Sequence, residues 1–206
     1  SKFAGDETKT PGFQAKASYD FKGQGTTGKL WVGGVSQNTS CSTATACVGS
    51  QSFSANGFEL GAKAGFGNFE ALAYGFTGKG LGLSTVGAQF FRGSDGAGNK
   101  TDSKGYFVQG TYKLGDTKFG INYGQNKDRN GFVGITRAVG TNGPTDLGQS
   151  TQNEIRNRAV TVGVYHALNK YITLVGEVNQ ERVTNTLDTG NKDKNRTISL
   201  GGIIFF

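Results

Sequence analysis

A two-residue rhythm runs along this chain and limits what it can fold into. In the last eleven residues, Arg196-Thr-Ile-Ser-Leu-Gly-Gly-Ile-Ile-Phe-Phe206, the positions Ile198, Leu200, Gly202, Ile204 and Phe206 share one parity. Thr197, Ser199 and Gly201 share the other. A period of two marks an extended strand whose faces meet different surroundings. The same rhythm appears in Phe13–Phe21, where Phe13, Ala15, Ala17, Tyr19 and Phe21 oppose Gln14, Lys16, Ser18 and Asp20. Phe58, Leu60, Ala62, Ala64 and Phe66 oppose Glu59 and Lys63. Tyr106, Val108, Tyr112 and Leu114 oppose Gln109, Thr111 and Lys113, and Phe119, Ile121 and Tyr123 oppose Lys118, Gly120 and Asn122. Ile172, Leu174 and Val178 oppose Thr173, Glu177 and Asn179.

Strand length separates the two folds that alternate in this way. Strands of a soluble sandwich average about 5–6 residues. The runs here span about 9–12, close to what a tilted strand needs to cross a bilayer. Composition agrees. Only 34% of residues are hydrophobic, too few for a soluble core, yet most of the 15 Phe, all 7 Tyr and the Trp lie within the alternating runs. A membrane barrel needs apolar side chains at alternate positions only. No run approaches ~18 consecutive apolar residues, so no transmembrane helix is expected. The expected fold is all-β, a transmembrane antiparallel β-barrel.

Nine strands are expected, near 12–21, 28–38, 56–66, 69–79, 103–114, 117–127, 156–167, 170–182 and 194–206. The connections between them are of two kinds. Phe66-Gly-Asn68, Leu114-Gly-Asp116 and Leu168-Asn-Lys170 are short. Segments 39–55, 80–102, 128–155 and 183–193 are long and rich in Asn, Asp, Gly, Ser, Thr and Lys. Outer-membrane barrels keep short turns in the periplasm and long loops outside. Odd-numbered strands therefore descend, the last one ends at the periplasmic rim, and segment 1–11 reads as the tail of an extracellular loop. A complete bacterial barrel has an even number of strands. Nine strands, and a chain that opens without Met or an export signal, point to the C-terminal portion of a larger barrel. The competing reading makes Leu81–Phe91 a tenth strand of a small closed barrel, serving as an anchor or adhesin, or as a sheath around a partner.

Several segments resemble the general-diffusion porins of Gram-negative bacteria. They are Gly57–Phe69, Gly105–Leu114 with Lys118–Gly124, Val162–Lys170 with Leu174–Val178, and Ile198–Phe206. Such porins have 16 strands and form trimers. The resemblance implies that all of 1–206 is porin barrel lacking seven strands, and that it lies in the outer membrane. The implied function is a water-filled channel for passive diffusion of small hydrophilic solutes or ions. The implied partners are outer-membrane lipid and lipopolysaccharide, two further copies of the chain, and the remaining N-terminal strands. The resemblance also implies that Ile198, Leu200, Ile204 and Phe206 act as an assembly signal. It implies no cofactor and no enzymatic activity.

By parity, the pore wall takes Lys16, Lys63, Lys113 and Lys118 against Asp20, Glu59 and Glu177. That balance is nearly even, and the formal net charge of +7 tilts the expectation weakly toward anions. Lys29 and Trp31 share one parity that sequence does not place, and Trp31 is a candidate for an interfacial aromatic girdle. Arg158 falls on the apolar parity near the outer rim, where it can snorkel. The 22 Lys and Arg residues form no stripe, so nucleic acid is not expected as a partner.

Cys41 and Cys47 bracket five residues of a polar loop with no nearby His to complete a zinc site, and are read as a local disulfide of an oxidising compartment. The only His, His166, sits beside a short turn on the apolar parity, which suits an interfacial structural role better than a catalytic one. Gly78-Lys-Gly-Leu-Gly82 opens no helix, so it is not read as a phosphate loop. Asp188–Asn195 is oxygen-rich without Ca²⁺-loop spacing and is read as a hydrated loop tip.

Overall fold

The computed structural model describes residues 6–7, 11–41, 52–81, 91–92, 100–129, 132–133, 154–185 and 192–205. Nine long strands run through them: β1 Phe13–Gly23, β2 Thr26–Cys41, β3 Ser52–Phe66, β4 Phe69–Lys79, β5 Asp102–Leu114, β6 Thr117–Arg129, β7 Glu154–Ala167, β8 Ile172–Asn185 and β9 Lys192–Ile204. Each pairs antiparallel with the next, in chain order, so they form one continuous sheet. Asp6 and Glu7 continue the β1 edge of β2, opposite Cys41 and Ser40. Phe91–Arg92 and Phe132–Val133 pair with each other in a separate two-stranded ribbon.

The tight turns are built by residues that accept unusual backbone angles. Gly25, Gly67 and Gly115 take φ of 70°, 56° and 57° in the two-residue turns after β1, β3 and β5. That left-handed region strains any residue with a Cβ, and two-residue hairpins require it. The turn between β7 and β8 uses side-chain chemistry instead. The Oδ1 of Asn169 accepts from the backbone N–H of Tyr171 at 2.8 Å and of Ile172 at 3.0 Å. This is the local mimicry of a backbone turn that Asn provides.

β4 pairs directly with β5 from Phe69↔Tyr112 to Lys79↔Asp102. A strand from Leu81–Phe91 cannot stand between them, so the ten-strand closed barrel is corrected on this point. The strands also run further toward the long loops than expected. β2 reaches Cys41 and β3 begins at Ser52, because backbone pairing there continues through polar residues that carry no alternation.

Burial is reversed relative to a soluble protein. The fully buried side chains among the described residues are Thr101, Ser103 and Asp128. Leu60, Ile121 and Val162 in mid-strand stand 57%, 57% and 49% exposed. In β5 the outward Lys104, Tyr106 and Val108 alternate with the more enclosed Ser103, Gly105, Phe107, Gln109 and Thr111. Water would penalise such an apolar exterior, whereas hydrocarbon accommodates it.

The apolar exterior has upper and lower aromatic borders. Phe21, Phe66, Phe69, Tyr112, Phe119 and Tyr171 lie toward the short turns, and Phe13, Phe58 and Tyr106 toward the long loops. Phe58 and Phe66 are eight residues apart, roughly 27 Å along the strand at ~3.4 Å per residue. A strand tilt of ~35–45° reduces that to about 20 Å of height, near the band these barrels present to lipid.

β1 and β9 are the edges of the sheet, and among the described residues their outer edges pair with no strand. Both are exposed on both faces, because each has a neighbour on one side only.

Candidate pore wall

Ladder partners share a face, so the register assigns every strand residue to one side. The register puts Lys16, Asp20, Glu59, Lys63, Lys113, Lys118 and Glu177 on one face of the sheet, opposite the face that carries Leu60, Val108 and Ile121. The register also settles Lys29 and Trp31. Lys29 is opposite Asp20 and Lys63, and Trp31 is opposite Ser18 and Gly61, all on the same face as Glu59. Trp31 is therefore a wall residue, and the girdle expectation for it is corrected. Parity carried to the strand ends also finds Lys22, Glu70 and Glu181 on this face.

Most charges in mid-wall are neutralised by a neighbour. Lys16 Nζ lies 2.9 Å from Glu59, Lys29 3.2 Å from Asp20 and Lys63 2.7 Å from Glu70. The Tyr74 hydroxyl donates to Glu59 at 3.0 Å. Tyr165 donates to Glu177, Asn157 donates to Glu181, and Lys118 stands 5.4 Å from the Tyr165 ring centre. Three lysines of this face have no ion-pair partner among the described residues: Lys22, Lys113 and Lys118. All three lie within two residues of the short turns, and Lys113 and Lys118 face each other across β5 and β6.

The wall as a whole is close to balanced. Lys16, Lys22, Lys29, Lys63, Lys113 and Lys118 stand against Asp20, Glu59, Glu70, Asp128, Glu177, Glu181 and Asp193. The positive excess sits on the outward face, in the loop-ward halves of the strands. Lys79, Lys104, Lys127, Arg129, Arg156, Arg158, Arg182, Lys194 and Arg196 share that parity, with only Asp102 and Glu154 as counter-charges among the described residues. Glu154 is held by Lys127 at 2.8 Å, Arg129 at 2.8 Å and Arg156 at 2.7 Å. Arg158 donates from Nε to Gln125 at 2.9 Å, in the rim position expected for it.

The remaining sequence candidates divide clearly. His166 faces outward beside the β7–β8 turn, with Nδ1 2.9 Å from the Thr117 hydroxyl. Among the described residues no group of three or more His, Cys, Asp and Glu is arranged to hold a metal. Ile198, Leu200 and Ile204 project outward from β9, Leu200 at 87% exposure. Phe206, Cys47, the side chain of Cys41 and residues 188–191 lie outside the described residues, as does most of the proposed tenth strand.

One antiparallel sheet with an apolar exterior and an ion-paired polar interior is the wall of an outer-membrane β-barrel. The sequence model of the Gram-negative porin family matches residues 2–186. The chain belongs to that family. It is a porin of the bacterial outer membrane, and the family points to a channel rather than an enzyme. No curated protein and no solved structure matches it.

Proposed function

We propose that this chain forms part of the wall of a water-filled channel through which small hydrophilic solutes and ions diffuse passively. The observation that carries this reading is the reversed burial: polar side chains enclosed, apolar ones outside. An enclosed face dressed with ion pairs stays wet, while the outward face meets hydrocarbon. Planar-bilayer recordings of the full-length protein test it. Stepwise, ohmic conductance is expected, and a bilayer that stays silent would sink the reading.

Two further elements belong to the same proposal. Among the described residues no strand pairs with the outer edges of β1 and β9, and unpaired backbone N–H and C=O groups each cost several kcal/mol in hydrocarbon. Seven more strands, joining β9 back to β1, satisfy them and complete a 16-stranded barrel. Assembly as a homotrimer rests on the family relationship.

The outward basic belt supports lipopolysaccharide as the lipid partner. A groove of about 390 Å³ runs over Gly75 between Phe58, Leu60 and Tyr106 and ends at Lys104 and Lys127. A second hollow of about 460 Å³ shares Phe58, Thr77, Lys104 and Lys127 with it and adds Lys79 and Arg129. An apolar floor capped by cations suits an acyl chain below a phosphorylated sugar headgroup.

Ion preference follows where the free charge lies. The net +7 rests on the outward belt and so says little about permeation. A weak preference for anions, where present, is assigned to Lys22, Lys113 and Lys118 at the turn-end mouth.

A further inference from the structure

Large aromatic rings are not needed to keep a pore wall wet, yet three of them lie together on the enclosed face. Trp31 and Tyr74 have ring centres 6.4 Å apart with planes inclined by 18°. Tyr74 and Phe76 follow at 6.1 Å and 34°. The first pair is stacked and the second is tilted, so the three rings form one continuous aromatic strip along the wall. Two glycines let the strip lie against the wall. A Cβ on Gly61 would fall 2.0 Å from the Trp31 indole, and one on Gly105 would fall 2.6 Å from the Phe76 ring.

The strip has a polar border whose charges cancel. Lys16 Nζ is 5.6 Å from the Trp31 ring centre and 2.9 Å from Glu59, and Glu59 also accepts from the Tyr74 hydroxyl. Donors and acceptors thus alternate along one edge of an apolar platform. An aromatic acid would need an uncompensated cation at this edge, and Lys16 is already matched by Glu59. A pyranose ring fits the chemistry better. It offers one apolar C–H face for the electron-rich rings and a rim of hydroxyls that both donate and accept.

We propose that Trp31, Tyr74 and Phe76, bordered by Lys16 and Glu59, form a weak subsite for neutral sugars on the channel wall. The proposal rests on the pore reading. It requires weak binding, since a solute held tightly would not leave the channel.

The test uses the full-length protein in planar bilayers, with maltotriose as the probe and benzoate as the comparison. Conductance in KCl alone reports the channel. Its absence would sink the pore reading and this proposal with it. With conductance present, maltotriose should reduce the current with half-saturation at about 1–50 mM, in the range where affinity amounts to only a few kcal/mol. W31A should raise the half-saturating maltotriose concentration roughly threefold to tenfold, the loss of one ring contact, with block read as a fraction of that variant's own KCl conductance. W31F should restore much of the block, and E59Q, which keeps all three rings, should weaken it as well. A conducting channel unaffected by maltotriose at about 100 mM would overturn the proposal. So would block that W31A leaves unchanged, or block by benzoate but not by sugar.

Discussion

Trp31 lies across Gly61 on the neighbouring strand, so closely that a Cβ on Gly61 would meet the indole Cζ2 at 2.0 Å. The two are direct ladder partners, and the bare glycine is what lets the ring lie against the wall. G61A should therefore push the indole off its seat. A cost of about 1–3 kcal/mol is expected, the usual penalty for forcing an extra methyl into a filled site. G23A is the control, since a Cβ there meets nothing within 4 Å. Urea titrations of the refolded protein in lipid vesicles check the pair. Equal midpoints for the two variants would contradict the Trp31–Gly61 contact.

The outward position of Leu60 gives a depth test. Leu60 stands 57% exposed within the apolar band, one outward position below Phe58, while Thr77 shares its face at the level of Phe58, the upper aromatic border. Arginine at mid-band costs about 2–4 kcal/mol, and at the interface about 0–1. L60R should thus lower folding stability in vesicles well below that of T77R. Were Leu60 facing an aqueous lumen, L60R would be nearly neutral and the face assignment would be reversed.

That assignment was largely legible in the sequence where residues alternate cleanly. Phe58, Leu60, Ala62, Ala64 and Phe66 against Glu59 and Lys63 leave one solution for β3. Trp31 was not legible, because Leu30 and Val32 on one side and Lys29 and Trp31 on the other both mix with apolar neighbours. Only the partner strand decides, through Gly61, and single-strand periodicity carries no information about partners. The hidden signal was a glycine in register with a large ring. The loop-end extensions of β2 and β3 were also hidden. Where both faces meet water, no alternation is needed, and backbone pairing alone continues the strand. The origin of the net charge was hidden for a different reason. Lys104, Lys127 and Arg156 lie on three strands, and only the ladder brings them into one row.

Lys22, Lys113 and Lys118 make the ion-preference reading testable. Each lacks an ion-pair partner among the described residues and each lies near a short turn. Reversing all three to Glu removes three positive charges from one mouth and adds three negative ones. In a KCl gradient the wild-type reversal potential should lean slightly toward chloride, and the triple variant should shift toward potassium by roughly 10–20 mV, on the scale of a severalfold change in permeability ratio. The effect should shrink as salt rises, because the Debye length falls from about 10 Å at 0.1 M to 3 Å at 1 M. A triple variant with unchanged selectivity at low salt would place the controlling charges elsewhere in the complete barrel.

The outward belt leads to the last expectation. Lys104 and Lys127 are ladder partners at the top of the groove over Gly75, and Lys104 has no ion-pair partner among the described residues. Exposed side chains that merely keep a rim soluble could be exchanged for acids without consequence. Cations that hold lipid phosphate could not. Each charge-assisted contact contributes about 1.5–3 kcal/mol when desolvated. K104E/K127E should therefore lower co-purification of lipopolysaccharide severalfold and weaken rebinding of purified lipopolysaccharide, while leaving binding to vesicles of neutral phospholipid unchanged. Lys127 also contacts Glu154 at 2.8 Å, so the double change disturbs a local cluster. K104E alone avoids that contact and should show the same direction at smaller size. Undiminished lipopolysaccharide binding by both variants would mean that the belt serves solubility and that the groove holds no phosphorylated lipid.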